Sequence, residues 1–497
     1  MRKSKIKKIT ASTLIAIISL VIGYTIWIPN EKVDLFNSSF AAYVQNKADG
    51  PYTPIIVKKF SEIASNYDTP TIDCGSAAEN AKWTWNESSS TFSATGLTST
   101  KSCKVYFGFK PSYALKINTI TVDNVQVSEI PRQAKYHVNP NCTGATATWN
   151  YASWSLEVSE LTQTKASCSP IFTSVVTSGA NANLSTLFGD ANNTASGKLL
   201  YAHITDATTI SNSNSTITSL GNVTAGDGNT YDAGTRYKGA NPNNYVLFNN
   251  EIWRIIGAFS GTDYTEYSTD YSGATPVETG TAKTNQTVVR IIRNESIGGY
   301  AYNSPSTNGG WWSKSSGTQV ASLNYMLNNY YIKGTDGTSN SNCRFYQTSV
   351  TRNCDYTKIG IQDEYRDMVV STKWYTAAGV DSSTAETSFT GERGTTAGKA
   401  GGDLTYTNRV GLIYPSDYLY SGTSASARWM LQNGNEWTLS PHSTNALRAW
   451  HFNSQGNLAN NSAYYGYAVR PVLNLSSSVY IVSGDGSLSN PYVINGE

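Results

Sequence analysis

The side chains of this sequence that could do chemistry are few. Its six cysteines stand at 74, 103, 142, 168, 343 and 354, and its four histidines at 137, 203, 442 and 451. A zinc or redox site wants cysteines about two to four residues apart, and no pair here is that close. No two histidines stand four apart, as a helical zinc-hydrolase motif requires, and His442 and His451 fall in one loop segment. A glycosidase needs two carboxylates about 5 to 10 Å apart. Asp417, near Pro415 and Tyr418, and Glu436, beside Trp437, are the candidates. Asp417 reads more simply as a turn cap, and Glu436 as the partner of Arg428 or Arg470. No Gly-x-Ser-x-Gly elbow marks a serine hydrolase. Calcium is left with Asp485, whose Gly484-Asp485-Gly486 setting is explained by a turn. The chemistry-bearing residues therefore point to a non-catalytic protein without cofactor or metal. A cell-wall or glycan hydrolase using Asp417 and Glu436 is the alternative, and a structural envelope protein is the second.

The cysteines carry the sharpest internal pattern. Cys74, Trp85-Asn86, Leu97-Thr98-Ser99-Thr100-Lys101 and Cys103 recur in order as Cys142, Trp149-Asn150, Leu161-Thr162-Gln163-Thr164-Lys165 and Cys168. This is an internal duplication with a period of about 70 residues. Six cysteines allow about 15 pairings. The repeat selects Cys74 with Cys103 and Cys142 with Cys168, which leaves Cys343 with Cys354. Such bonds persist outside the cell, and closing each loop is worth about 3 kcal/mol. Alternating segments such as Lys104 to Phe107 and Ile117 to Val127 read as strands. Two small all-β, Ig-like disulfide modules follow, at 53–130 and 131–175, with Trp83, Trp85 and Trp149 in their cores.

The ends of the chain say where these modules work. Residues 1–8 contain Arg2, Lys3, Lys5, Lys7 and Lys8 and no acid; residues 9–28 carry no charge. Twenty residues at about 1.5 Å each span a bilayer core. Trp27 sits at the boundary, Pro29 ends the helix, and the basic flank stays cytoplasmic. A cleaved signal peptide has the same order of regions; the length favours a retained signal anchor, and either one exports the chain beyond residue 30. A linker at 29–52 leads to the modules. The expected location is a cell membrane, single-pass, with the C-terminal part extracellular. Without the five basic residues, the formal +2 becomes about −3, which excludes nucleic acid as a partner because phosphates need a basic face. With 33 tyrosines and 12 tryptophans, most of the chain must fold.

Residues 176–235 are rich in Ser, Thr, Asn and Gly and read as a lead-in, with one short helix at Ala182 to Phe188. Beyond them an α+β domain (236–497) is expected, with short strands, long loops and few helices. Tyr245 to Phe248, Asn249-Asn250 and Glu251 to Ile256 predict a hairpin with a two-residue turn. Leu323, Met326, Leu327 and Tyr330 fall on one helical face, and Gln362 to Val370 predicts a second helix. Strands are expected at Thr287 to Arg293, Ala468 to Leu475, Val479 to Val482 and Pro491 to Ile494.

Five blocks in this domain carry a resemblance: GANPNNYVLFNNEIWRIIGAF (239–259), GLIYPSDYLYSG (411–422), NEWTLSP (435–441), YAVRPVLNL (467–475) and GDGSLSNPYVI (484–494). Over roughly 180–497 the chain resembles a domain family of bacterial surface proteins that usually follows an N-terminal anchor. NEWTLSP followed by an aromatic-Arg-Pro strand is also similar to the formylglycine-generating-enzyme branch of the C-type-lectin-like fold. The resemblance implies a lectin-like scaffold whose loops present a binding surface for a glycan or protein outside the cell, as in adhesion. Oxidase activity is not carried over, since Cys343 and Cys354 read as a loop staple. The implied surface is the segment holding Ser443, Asn445, Arg448, Trp450, His451, Asn453, Asn457, Asn460, Asn461, Tyr464 and Tyr465. Tyrosine and tryptophan there supply contact area at low entropic cost. Trp311, Trp312 and Trp450 could stack on a sugar face.

Overall fold

Asn249 and Asn250 hold φ of 58° and 57°, the left-handed turn that sequence predicts between two apolar runs. The turn sets Phe248 opposite Glu251 and Tyr245 opposite Arg254. Around this hairpin the computed structural model builds a chain that is predominantly β-sheet with few helices. It describes residues 114–496 apart from short breaks, and before them only the backbone of short strands between 9 and 106. The basic segment 1–8, nearly all of the apolar span 9–28, and Cys74 and Cys103 lie outside the described residues. Among the described residues no helix is long and apolar enough to cross a membrane. The chain divides into two units, 1–175 and 176–497.

In the first unit Cys142 lies opposite Cys168 on antiparallel strands, and a disulfide joins them. Trp149 is buried against Trp154 and Phe172, with ring centroids 5.2 and 5.3 Å away. The boundary expected at 130/131 does not separate two modules. Strand Lys165–Cys168 runs parallel to Ala114–Ile117, and Ile171–Ser174 runs parallel to Ile120–Val122. Strands on the two sides of that boundary therefore share sheets, and each pairing covers an edge that would otherwise present exposed ladder groups.

The second unit starts at 176, not at 236. The segment expected as a loose lead-in contributes helix Leu200–Thr205, whose Leu200 and Ile204 are fully buried in the unit's core. Its neutral polar composition hid a short apolar stripe. The core lies under an eleven-stranded sheet whose centre is a long hairpin, Glu251–Asp270 paired with Val277–Arg293. Trp253, Ile255, Ile291 and Ile292 are buried there. A fully buried tryptophan removes about 200 Å² from water, worth roughly 5 kcal/mol before entropic costs. A second sheet of five strands runs from Gly299–Ala301 to Leu458–Ser462. Leu323, Met326 and Leu327 are buried on the predicted helical face, which begins as Ser322–Met326. The second predicted helix is a single turn, Asp363–Arg366. Cys343 and Cys354 form the expected staple.

In the first copy of the repeat, strand Thr71–Asp73 is antiparallel to Lys104–Tyr106, with Asp73 opposite Lys104. Peptide mapping without reductant should recover a Cys74–Cys103 linked peptide beside those of the other two bonds. A crossed pairing between the copies would overturn the register argument.

Candidate functional site

Three strand elements and a helix end surround a cavity of about 390 Å³ in the second unit. The long hairpin supplies Phe259, Val288 and Arg290, strand Ser371–Tyr375 supplies Thr372, Lys373 and Tyr375, and Thr230–Asp232 supplies Tyr231 and Asp232. Val288 and Arg290 are two apart and so share one sheet face, as do Lys373 and Tyr375. Arg393, directly after helix Ala385–Glu392, lines the cavity. The size lies within the usual range for a small-molecule site. Its polar lining suits a hydroxylated or charged ligand.

The cavity rests on a buried charge cluster. The Asp417 carboxylate, fully buried in the first turn of helix Pro415–Tyr420, accepts a hydrogen bond from Arg236 Nη1 at 2.5 Å. It also meets Arg290 Nη1 at 3.3 Å. Burial alone would raise this carboxyl, but Arg290 and Arg236 hold it below the usual carboxylate range. The two guanidinium groups lie against the Phe259 ring, at 4.3 Å for Arg290 and 4.6 Å for Arg236. Phe259 in turn packs on Gly234, where φ is +91° and an added Cβ would stand 2.6 Å from the ring. The third cation, Arg393, stacks on Phe389 at 3.7 Å and on Tyr375 at 4.8 Å. Its Nη1 reaches the Glu392 carboxylate only at 3.4 Å, and its buried Nε has no hydrogen-bond partner.

Glu392 is itself buried. It accepts hydrogen bonds from the Ser416 backbone N–H at 2.8 Å and hydroxyl at 2.6 Å. Burial pushes its carboxyl up to about 7, against the opposing pull of Arg393 and the Ser416 hydrogen bonds and with a further push from Asp417.

The residues expected from sequence fall elsewhere. Glu436 is not a catalytic acid in waiting: Arg470 Nε and Nη2 hold both its oxygens, at 2.7 and 2.8 Å, in a buried pair. Neither Asp417 nor Glu436 lines the cavity. The 443–465 segment is a hairpin of the second sheet, Arg448–Phe452 with Leu458–Ser462, rather than an open loop. Trp450 is 1 % exposed, and its Nε1 donates to the Gly379 carbonyl. His451 is buried, which lowers its pKa to about 4. Neither can be a contact surface, because aromatic residues in an interior strand are there for packing. Trp311 and Trp312 are buried as well.

Asn445, Arg448 and Asn457 are exposed, and Ser443, Asn453, Asn460, Asn461, Tyr464 and Tyr465 are half-buried. Asn453 uses its Oδ1 to accept the Gln455 and Asn457 N–H groups within the turn. Arg448 donates to Asn460 Oδ1 at 2.8 Å. Tyr465 stacks on Tyr467 with ring centroids 6.0 Å apart. Among the described residues no group of three or more His, Cys, Asp or Glu side chains comes together in a way that would hold a metal. Asp485 accepts the Ser487 N–H in its turn.

Two outcomes test the cluster. Asp417→Asn removes the charge that Arg236 and Arg290 share and should cost about 3–5 kcal/mol in denaturant unfolding; a loss under about 1 kcal/mol would mean the cluster does not hold the fold. Glu392 has a folded-state pKa above its ordinary 4.5. Its contribution to stability is therefore fully present below about pH 4.5 and is lost as pH rises through about 7. Glu392→Gln should gain stability relative to the wild type between pH 5 and pH 8, and a constant difference across that window would contradict the shift.

No protein-family model, no characterised protein and no solved structure matches the chain.

Proposed function

We propose that this chain is an exported bacterial surface protein that recognises a ligand and does not catalyse. In this reading residues 9–28 anchor it in the membrane, the first unit is an Ig-like stalk, and the second is a lectin-like head. The observation that carries the reading is the polar cavity of about 390 Å³ beside Tyr231, Tyr375, Arg290 and Arg393. Its volume suits one or two saccharide units, and the half-buried Tyr231 and Tyr375 rings offer apolar faces with polar tips. The hydrolase alternative loses ground because both of its acids are closed into arginine pairs. A second surface is favoured by one observation: the half-buried Tyr464, Tyr465 and Tyr467 rings adjoin one another, with Asn461 donating to the Tyr467 hydroxyl, which suits a protein partner.

Glycan-array binding by the detergent-solubilised full chain separates these readings. Tyr231→Ala with Tyr375→Ala should weaken binding about tenfold or more, while Tyr464→Ala with Tyr465→Ala leaves it unchanged. The reverse pattern would move the site to the hairpin, and a folded wild-type protein that binds nothing would end the recognition reading.

A further inference from the structure

Beside the cavity three buried arginines share two buried carboxylates. Arg236, Arg290 and Arg393 are each less than a tenth exposed. Against these three buried charges stand the buried carboxylates Asp417 and Glu392. Arg236 takes the short contact with Asp417, at 2.5 Å, which leaves Arg290 at 3.3 Å. Arg393 is worse served: its nearest carboxylate oxygen lies 3.4 Å away and its Nε lacks any partner. A buried guanidinium with an unmet donor is costly; Arg236 Nη2 is also unmet but lies off the cavity, whereas Arg393 lines it beside Arg290, whose Nε donates to Asn474 Oδ1 at 3.2 Å. Exposed Lys373 adds a third positive side chain to the lining.

The lining also holds two acids, and these restrict the ligand further. Asp232 accepts the Ser260 N–H and hydroxyl at 2.7 Å, and Asp263 accepts the Asn285 N–H at 2.9 Å. Asp232 Oδ1 also accepts the Gly234 N–H at 2.9 Å, which leaves it about one acceptor position for a hydroxyl donor and Asp263 more, and both repel a second negative charge. Guanidinium pairs flanked by hydroxyl acceptors fit a molecule with one carboxylate and several hydroxyl groups.

We infer that the ligand of this cavity is an acidic saccharide of the uronic-acid type, its carboxylate bound by Arg393 and Arg290 and its hydroxyl groups by Asp232 and Asp263. This rests on the cavity being the recognition site. Planar guanidinium forks match a carboxylate in two-point geometry, and the aromatic rings packed around Arg393 hold its plane fixed. Ammonium-bearing amino acids and inorganic anions share part of this chemistry and serve as counter-tests.

The test is calorimetric titration of the full chain at pH 7 and low salt with glucuronate, galacturonate, glucose, galactose, sulfate and glycine. The uronates should bind at least about tenfold more tightly than the neutral sugars, and the gap should shrink in about 0.5 M salt as screening grows. Arg393→Gln should bring the uronates down to the level of the neutral sugars. Lys373→Gln alters an exposed side chain on which folding does not depend, and should weaken the uronates a few-fold, so the inference stays testable if the arginine variant does not fold. Equal affinity for acidic and neutral sugars would overturn the acidic ligand while leaving the cavity as the site. Sulfate or glycine binding more tightly than either uronate would overturn the saccharide. Binding of none of the six by the folded protein would end both readings.

Discussion

One fully buried carboxylate, Asp417, decides the architecture of the second unit. It draws together a helix and two strands whose arginines lie 181 and 127 residues away in sequence. A carboxylate withdrawn from water loses several kcal/mol of solvation and is tolerable only with close, well-aligned cations. Arg236 and Arg290 meet that demand, and doing so sets both guanidinium groups against the Phe259 ring. Everything that shapes the cavity floor follows from this: Gly234 because the ring needs its space, and Arg290 because its side chain is tethered from behind. In a chain with only 14 % charged residues, burying five of them in one place is a concentrated use of charge.

Local structure was largely legible from sequence. The Asn249-Asn250 hairpin, the Leu323–Leu327 stripe and the cystine pairs at 142–168 and 343–354 all rest on short-range signals, and short-range physics produced them. The failures were of another kind. Trp450 and His451 looked like contact residues because aromatic and polar side chains alternate there, but alternation also describes an interior strand flanked on both sides. The 176–235 segment looked empty because Leu200 and Ile204 are few, although both are fully buried.

The cavity was missed because its parts come from Tyr231, Phe259, Arg290, Tyr375 and Arg393, and no local spacing links them. A signal for it does exist. Arg290 sits inside Val288-Val289-Arg290-Ile291-Ile292, just as Arg254 follows Ile252-Trp253 and Arg470 follows Val469. A cation within a β-branched run is carried into the sheet with its neighbours and must find an acid or an aromatic face there. Each of these three does: Asp417 for Arg290, Glu436 for Arg470, and the Tyr245 ring at 4.0 Å for Arg254. Read this way, the embedded arginines name the positions where distant segments must converge.

The central sheet places the last strand of the chain beside one of its earliest. Tyr492–Asn495 runs parallel to Tyr245–Phe248 and antiparallel to Tyr480–Ser483, and the 197–200 segment hydrogen-bonds to residues 479 and 481. The 197–200 segment therefore lacks these hydrogen-bond partners until the final twenty or so residues are in place, although helix Leu200–Thr205 also packs on the long hairpin. A chain synthesised from its N-terminus holds this edge of the sheet open until those strands arrive. The topology itself thus acts as a timer for closing that edge of the sheet.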